Sequence, residues 1–335
     1  MFHVGLIGLG RIGKLHAENL VKEFPQANLA VVADPFLNDD MRAWAQSLGI
    51  KNLTAHPDEV FRHPQVEAVL ICSPTPTHEA LIIEAAQAGK HVFCEKPIGS
   101  DIAQIERALE EVEKRGVKLQ VGFVRRFDHN HRKVRESVKE GKIGKPYLVK
   151  ITSRDPQPPS LEYLKASGGI FFDMTIHDFD MARYLSGSEV EEVFACGTVL
   201  VDEAVAGLHD FDTAVVTLRF TNGMIGIIDN CRQAVYGYDQ RTEVHGSQGC
   251  IWVENDRPNT SLLLTRNGTV REPFLWFFLE RYKQAFIDEL KAFFHALGEN
   301  TQPPVDGVDG LKAVLIAQAA SRSAREGRIV KVGER

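Results

Sequence analysis

Val4-Gly-Leu-Ile-Gly-Leu-Gly-Arg-Ile-Gly13 is an apolar strand running straight into a glycine loop, and Lys14-Leu-His-Ala-Glu-Asn-Leu20 continues from it with the spacing of a helix. Between a strand and a helix, the pattern G-x-G-x-x-G has a physical reading. Gly8 makes the tight turn, Gly10 lets a pyrophosphate approach the backbone, and Gly13 allows the helix to pack on the strand. Arg11 and Ile12 open the helix, whose N-terminus supplies positive potential. Glycines after a strand are commonly just a turn, but here the next strand, residues 29–33, ends in Asp34. A carboxylate about 20 residues past the loop is what a ribose 2′-hydroxyl needs as acceptor. Its charge opposes a 2′-phosphate, and Pro35-Phe-Leu-Asn38 offers no arginine to bind one, so NAD is favoured over NADP.

Outward from this unit the alternation continues. Residues 66–71 form a buried strand stopped by Cys72-Ser-Pro-Thr-Pro-Thr-His78. Thr75 is a candidate N-cap with Pro76 at the first helical position, and Gly89 closes the helix. Ser73, Pro74 and Thr75 thus lie at a carboxyl strand end, where open α/β sheets bind ligands. His78 is either a structural residue or a contact to the cofactor. The next strand, His91-Val-Phe-Cys-Glu-Lys-Pro97, ends in Glu95 and Lys96, also at the cofactor crevice. A Lys-Pro bond can be cis at a cost of about 0.5–1 kcal/mol. A charged helix over 101–115 and a strand over 117–121 complete a first sheet. The boundary near 122–127 divides the chain into a dinucleotide-binding domain, 1–122, and a second domain, 123–335. Arg125 and Arg126 leave the last strand side by side, as a solvated pair or as donors to a polyhydroxylated substrate.

With 335 residues, 44% of them hydrophobic and 25% charged, the chain is long enough for two cores and has no fibrous or disordered bias. A net charge of -6 argues against nucleic acid or an anionic membrane as partner. The five cysteines are never spaced C-x-x-C, which fits a reducing cytosol. The first residues lack the charged n-region of a signal peptide, and no apolar run approaches the roughly 18 residues of a membrane span. A soluble cytoplasmic protein is expected.

The second half reads differently. Strand 147–153 precedes the proline-rich loop Asp155-Pro-Gln-Pro-Pro159. A helix over 169–185 carries Asp173 and His177 four apart, on one otherwise apolar face. A carboxylate and an imidazole on such a face need each other or a ligand, because an unpaired buried polar group costs about 1–3 kcal/mol. A structural pair, a metal site and a histidine base held by an aspartate all satisfy that need. The metal would want a third ligand, which the spacing does not provide nearby. Period-two strands follow, with an Asn-Gly hairpin at Thr221-Asn-Gly223, then helices near 275–297 and 310–325. Tyr236 and Tyr238 are candidates to contact substrate. Residues 214–218 and 225–228 are apolar on both parities, so a homo-oligomer is expected to cover the second face.

Gly-Leu-Gly-Arg-Ile-Gly, Ser-Pro-Thr-Pro-Thr-His and Ala-Gly-Lys-His-Val-Phe-Cys-Glu-Lys-Pro resemble successive hallmarks of the Gfo/Idh/MocA oxidoreductases. Ser153-Arg-Asp-Pro156, the stretch from Gly168 to Asp180 and the stretch from Arg232 to Arg241 are more narrowly similar to the inositol 2-dehydrogenase branch. The resemblance implies an α/β protein: a Rossmann domain, then a domain with a large, mostly antiparallel open sheet. It further implies NAD-dependent oxidation of myo-inositol, or of another inositol isomer or a pyranose, without metal, in a homotetramer. Lys96, Asp173 and His177 match the positions of the catalytic triad, and Arg125 or Arg126, Asp155 and Tyr236 are implied at the substrate. The same resemblance extends to non-catalytic NAD-binding regulators, which in principle lose the lysine or the histidine; both are present here.

Overall fold

The computed structural model describes residues 1–334 and divides into two compact units. The first comprises Met1–Phe123 and Phe286–Val314, the second Val124–Ala285 and Leu315–Arg335. The division is therefore discontinuous, whereas the sequence suggested a single crossing. Residues 286–314 return to the first unit, and the helix Gly307–Glu326 is shared between the two.

In the first unit six parallel strands lie in the order β3-β2-β1-β4-β5-β6. They are β1 (Phe2–Ile7), β2 (Ala27–Ala33), β3 (Leu53–Thr54), β4 (Ala68–Ile71), β5 (His91–Cys94) and β6 (Leu119–Val121). Every residue of β4 and β6 is buried, as a parallel sheet covered on both faces requires. The order reverses between β1 and β4, the topological switch point beside which such sheets bind ligands. One core cluster joins Val4, Leu6, Leu70 and Phe93 of this sheet to Leu290, Phe293 and Phe294. These last belong to the helix Lys283–Gly298, so the late segment supplies core to the early sheet.

The second unit contains a mixed seven-stranded sheet, ordered β12-β11-β7-β10-β9-β8-β15. Its strands are β7 (Pro146–Arg154), β8 (Val190–Thr198), β9 (Thr213–Phe220), β10 (Ile225–Cys231), β11 (Asp239–Gly246), β12 (Gly249–Trp252) and β15 (Val330–Lys331); β13 (Leu262–Thr265) and β14 (Gly268–Arg271) form a separate hairpin. Only β7 and β10 pair in parallel; the rest of the sheet is antiparallel. The turn at Thr221-Asn-Gly223 closes β9 onto β10, with Gly223 at φ +85°. Ala214, Val216, Leu218 and Ile228 face the core, while Val215 and Ile225 are each 49% exposed.

The expected single helix over 169–185 is broken. A short turn, Ile170–Asp173, ends before Met174 and Thr175, and a second helix runs Ile176–Ser186. The apolar periodicity continues across the break, which is why the sequence reads as one helix. The interruption is held from outside: the Thr175 hydroxyl lies 2.6 Å from Asn230 Oδ1 on β10. Asp173 and His177 therefore sit on either side of a bend.

Candidate active site

The residues singled out from the sequence fall into two sets, one in each unit. In the first unit the glycine loop is built as the spacing predicts. Gly8 has φ +98°, and a Cβ there would stand 2.7 Å from the backbone of Cys72 and Ser73. A Cβ on Gly13 would lie 1.9 Å from the Gly8 carbonyl oxygen, so the helix Arg11–Glu23 sits hard against the loop. Gly10 is different: nothing lies within 4 Å of the place its Cβ would take. That open position precedes a helix N-terminus with no side-chain cap and no acid in its first turn, the backbone cradle a pyrophosphate needs. Asp34, buried at the end of β2, accepts from Leu9 N through Oδ2 at 2.6 Å and from Phe36 N through Oδ1 at 2.8 Å. One carboxylate thus ties the glycine loop to the strand end where a ribose would be read. These residues fit a dinucleotide.

The loop after β4 is pinned by His78, whose Nδ1 lies 2.7 Å from the Pro97 carbonyl oxygen and Nε2 2.8 Å from that of Ser73. Both ring nitrogens are engaged with backbone, so the imidazole braces the loop holding Ser73, Pro74 and Thr75 against the turn of Lys96 and Pro97. The Lys96-Pro97 bond is cis. Glu95 and Lys96 are half-buried, and Lys96 N donates to Glu95 Oε2 at 3.3 Å.

In the second unit Asp173 is clasped on both oxygens. Tyr163 donates its hydroxyl to Oδ1 at 2.7 Å, and Arg232 Nη1 donates to Oδ2 at 3.1 Å. Arg232 is fully buried, and its Nη2 lies 3.8 Å from Asp210. Burial pushes the carboxyl of Asp155 up to about 6; Arg232 opposes the rise and the charge of Asp173 adds to it. Asp155 thus changes charge near neutrality rather than in the usual carboxylate range. Neither Tyr163 nor Arg232 was picked out as a site residue from the sequence. Arg232 opens a stretch that marks the family resemblance, but nothing local says that it points at Asp173, 59 residues earlier.

The two arginines at the start of this unit have internal partners. Arg125, buried, donates through Nη1 to Asp178 Oδ1 at 2.6 Å and to Ser153 Oγ at 2.9 Å. Arg126 grips both oxygens of Asp180, at 2.8 and 2.6 Å, and lies over the Tyr184 ring. Tyr236, 44% exposed, donates to Asp239 Oδ2 at 2.8 Å and accepts from Arg154 Nη1 at 3.0 Å. Tyr238 is buried beside Arg125 and Tyr282.

Comparison with known proteins agrees over the whole chain. A family model for oxidoreductases with an NAD-binding Rossmann fold matches residues 2–123, and one for the GFO/IDH/MocA C-terminal domain matches residues 131–252. The chain is 51% identical to the myo-inositol 2-dehydrogenase of Thermotoga maritima, over 99% of this chain and 98% of that one. It is 44% identical to the inositol 2-dehydrogenase of Rhizobium meliloti, over 98% of each chain. Among solved structures, the scyllo-inositol dehydrogenase of Lactobacillus casei with bound NAD(H) and scyllo-inositol superposes with a TM-score of 0.93 at 31% identity, covering 100% of both chains.

If Arg232 anchors Asp173, then Arg232→Met, which leaves the carboxylates of Asp173 and Asp210 without their buried counter-charge, should lower unfolding stability by about 3–5 kcal/mol in urea titrations. Tyr163→Phe, which removes one hydrogen bond at a more exposed position, should cost about 1 kcal/mol or less. A methionine variant as stable as the wild type would show that the ion pair holds nothing in place.

Proposed function

Because the chain belongs to the Gfo/Idh/MocA family of NAD-binding oxidoreductases, we propose that it oxidises one secondary hydroxyl of myo-inositol to the corresponding inosose. The observation that carries this reading is Asp173, held on both oxygens by Tyr163 and Arg232 at the bend that also presents His177. Such a fixed carboxylate–imidazole segment suits removal of a hydroxyl proton. The mixture of donors and acceptors in Asp155, Tyr163 and Asp173, which feel one another's charge, suits a neutral polyol. The similarity to enzymes named for myo- and scyllo-inositol narrows the polyol to a cyclitol.

In the proposed mechanism His177 takes the proton from the reacting hydroxyl, a contribution of roughly 10²–10⁴-fold for a well-placed base. Asp173 steadies the imidazolium that results, and the clasp of Arg232 and Tyr163 keeps that carboxylate from swinging away. Lys96 donates to the reacting oxygen and supports its developing charge. Bound NAD supplies the hydride acceptor, chemistry that belongs to the nicotinamide itself. Gly8, Gly10, Arg11, Ile12, Gly13 and Asp34 hold its adenosine and pyrophosphate, while Ser73, Pro74, Thr75 and Glu95 border the nicotinamide half. Asp155 and Tyr236 hydrogen-bond ring hydroxyls distant from the reacting carbon. Arg125 and Arg126, already committed to Asp178 and Asp180, take part through the position of the helix Ile176–Ser186 that carries both.

The oligomer is part of the same proposal. Phe194, Val215, Ile225 and Trp252 are 39–63% exposed on the sheet of the second unit. An exposed apolar face of that kind marks an association surface. A homotetramer in the cytoplasm is the state we assign, the five unbridged cysteines supporting the compartment.

Three measurements test these assignments. Absorbance growth from nicotinamide reduction at mildly alkaline pH should give the highest kcat/KM with myo-inositol, against scyllo-inositol, chiro-inositol, glucose and sorbitol. His177→Ala should lose at least about 10²-fold; preference for another polyol refutes the substrate, and an active alanine variant refutes the base. Asp34→Ser should lower the KM for NADP relative to that for NAD, since the charge opposing a 2′-phosphate is gone; an unchanged ratio would mean the acid does not read the ribose. Light scattering should return four times the 37.4 kDa chain mass, and a monomer at micromolar concentration ends the tetramer assignment.

A further inference from the structure

Behind the strand end that carries Lys96 lies a cluster of titratable side chains that the mechanism above does not use. His16, on the helix Arg11–Glu23, places Nε2 2.8 Å from Glu95 Oε1 and 3.9 Å from Glu289 Oε1. The side chains of His16 and Glu289 are fully out of solvent, and that of Glu95 is 12% exposed. Both oxygens of Glu289, and Nδ1 of His16, have no hydrogen-bond partner among the described residues. The rings of Phe93 and Phe286 stand edge-on to His16 at 5.2 and 5.8 Å. Two further titratable groups near the cluster are Cys72 and Cys94, whose thiols burial keeps well above their usual range and hence neutral.

Two ionised carboxylates sharing one apolar pocket with a single imidazole would combine like-charge repulsion with the loss of solvation. A proton removes both costs. His16 has one donor to offer, and its contact with Glu95 has hydrogen-bond length; the Nε2–H tautomer then leaves Nδ1 as a bare acceptor among aromatic edges. Glu95 is boxed in on its far side as well, since a Cβ on Gly122 would stand 3.1 Å from its carboxylate. Its Oε2 accepts from Lys96 N, so the orientation of this carboxylate is coupled to the backbone at Lys96.

We propose that Glu289 holds a buried proton and that the trio His16, Glu95 and Glu289 carries one negative charge, on Glu95, fixed by His16 behind Lys96. His16 and Glu289 are then positioning residues for the lysine, an inference that rests on the catalytic reading of Lys96. The ligand atoms of the three lie within 4.8 Å of one another, so the same set has the makeup of a metal site. The 2.8 Å contact has the length of a hydrogen bond, and elemental analysis decides between a proton and an ion.

The test has two arms that need no substrate. Infrared difference spectra of the NAD-loaded protein against Glu289→Gln at neutral pH should show the carbonyl stretch of a protonated carboxyl only in the wild type. Stability against pH gives the second arm. Burial, with the charge of Glu95 added, holds the folded Glu289 carboxyl well above the ordinary carboxylate value of about 4.5. Unfolding above that pH releases the proton, so stability present below it is lost as pH rises, by about tenfold in the unfolding equilibrium per pH unit. Glu289→Gln should lack that component of the slope. A third arm reads positioning: His16→Leu should lower kcat with myo-inositol by about tenfold with NAD affinity retained, and His16→Gln, which keeps an N–H toward Glu95, should restore most of it. No lost carboxyl band, identical pH slopes in the two proteins, or a stoichiometric metal by elemental analysis overturns the buried proton. Equal loss in the glutamine and leucine variants overturns the positioning role. If the wild type oxidises no inositol, the first two arms still decide the proton, so failure of the substrate assignment remains separate.

Discussion

Asp178 and Arg125 form a buried ion pair 2.6 Å long, and the active-site segment of the second unit is arranged around keeping it satisfied. Removing charges from water costs several kcal/mol per ion, which mutual attraction offsets only if the remaining lone pairs and protons find partners. Ser153 and Asn230 supply them, the hydroxyl to Oδ1 at 2.5 Å and the amide to Oδ2 at 2.8 Å. Asn230 then has its own carbonyl oxygen to satisfy, and Thr175 does so. Thr175 is where the helix breaks. A buried charge thus propagates through one amide to the bend that sets Asp173 on one side and His177 on the other.

The same logic separates what was legible in the sequence from what was not. The strand, glycine loop and helix over residues 2–23 were readable because each requirement is met within a few residues, the turn at Gly8 and the packing at Gly13, and Asp34 because it stands at a fixed distance beyond them. The bend at Met174 and Thr175 was not. Its cause, Asn230, lies 55 residues on, and nothing in the local pattern interrupts the helix period. Tyr163 and Arg232 were missed for the same reason, since a clasp on a carboxylate is a property of the fold and leaves no spacing rule. Arg125 and Arg126, side by side after a strand, read as a solvated pair or as donors to a ligand; that each meets a buried aspartate of the helix Ile176–Ser186, more than 50 residues on, has no local signal.

Charge placement also differs between the two units in kind. In the second, buried carboxylates meet guanidinium groups: Asp128 with Arg281, Asp173 with Arg232, Asp178 with Arg125, Asp180 with Arg126. In the first, the buried carboxylates near the strand ends meet backbone N–H groups at Asp34 and an imidazole at Glu95. Guanidinium pairs hold geometry at any pH near neutral, whereas an imidazole can pass a proton. The first unit therefore holds Glu95 through an imidazole, while these four aspartates of the second are locked by guanidinium groups and Asp155 beside them remains titratable.

The discontinuous first unit has a consequence for how the chain comes into being. Its sheet is complete once β6 has been made, yet Leu290, Phe293 and Phe294 of its core cluster arrive only some 170 residues later. On a ribosome adding about 5–20 residues per second, that interval is on the order of ten to thirty seconds. Throughout it, one greasy flank of the nascent sheet has no native cover while Val124–Ala285 of the second unit is threaded out behind it. The second unit waits as well, since β15 and the core residues Ile316, Ala317 and Ala320 follow the late helix, so each unit is completed only by the last fifty residues of the chain. Cutting the gene at residue 122 would accordingly yield an open-sided fragment rather than a self-sufficient nucleotide-binding module.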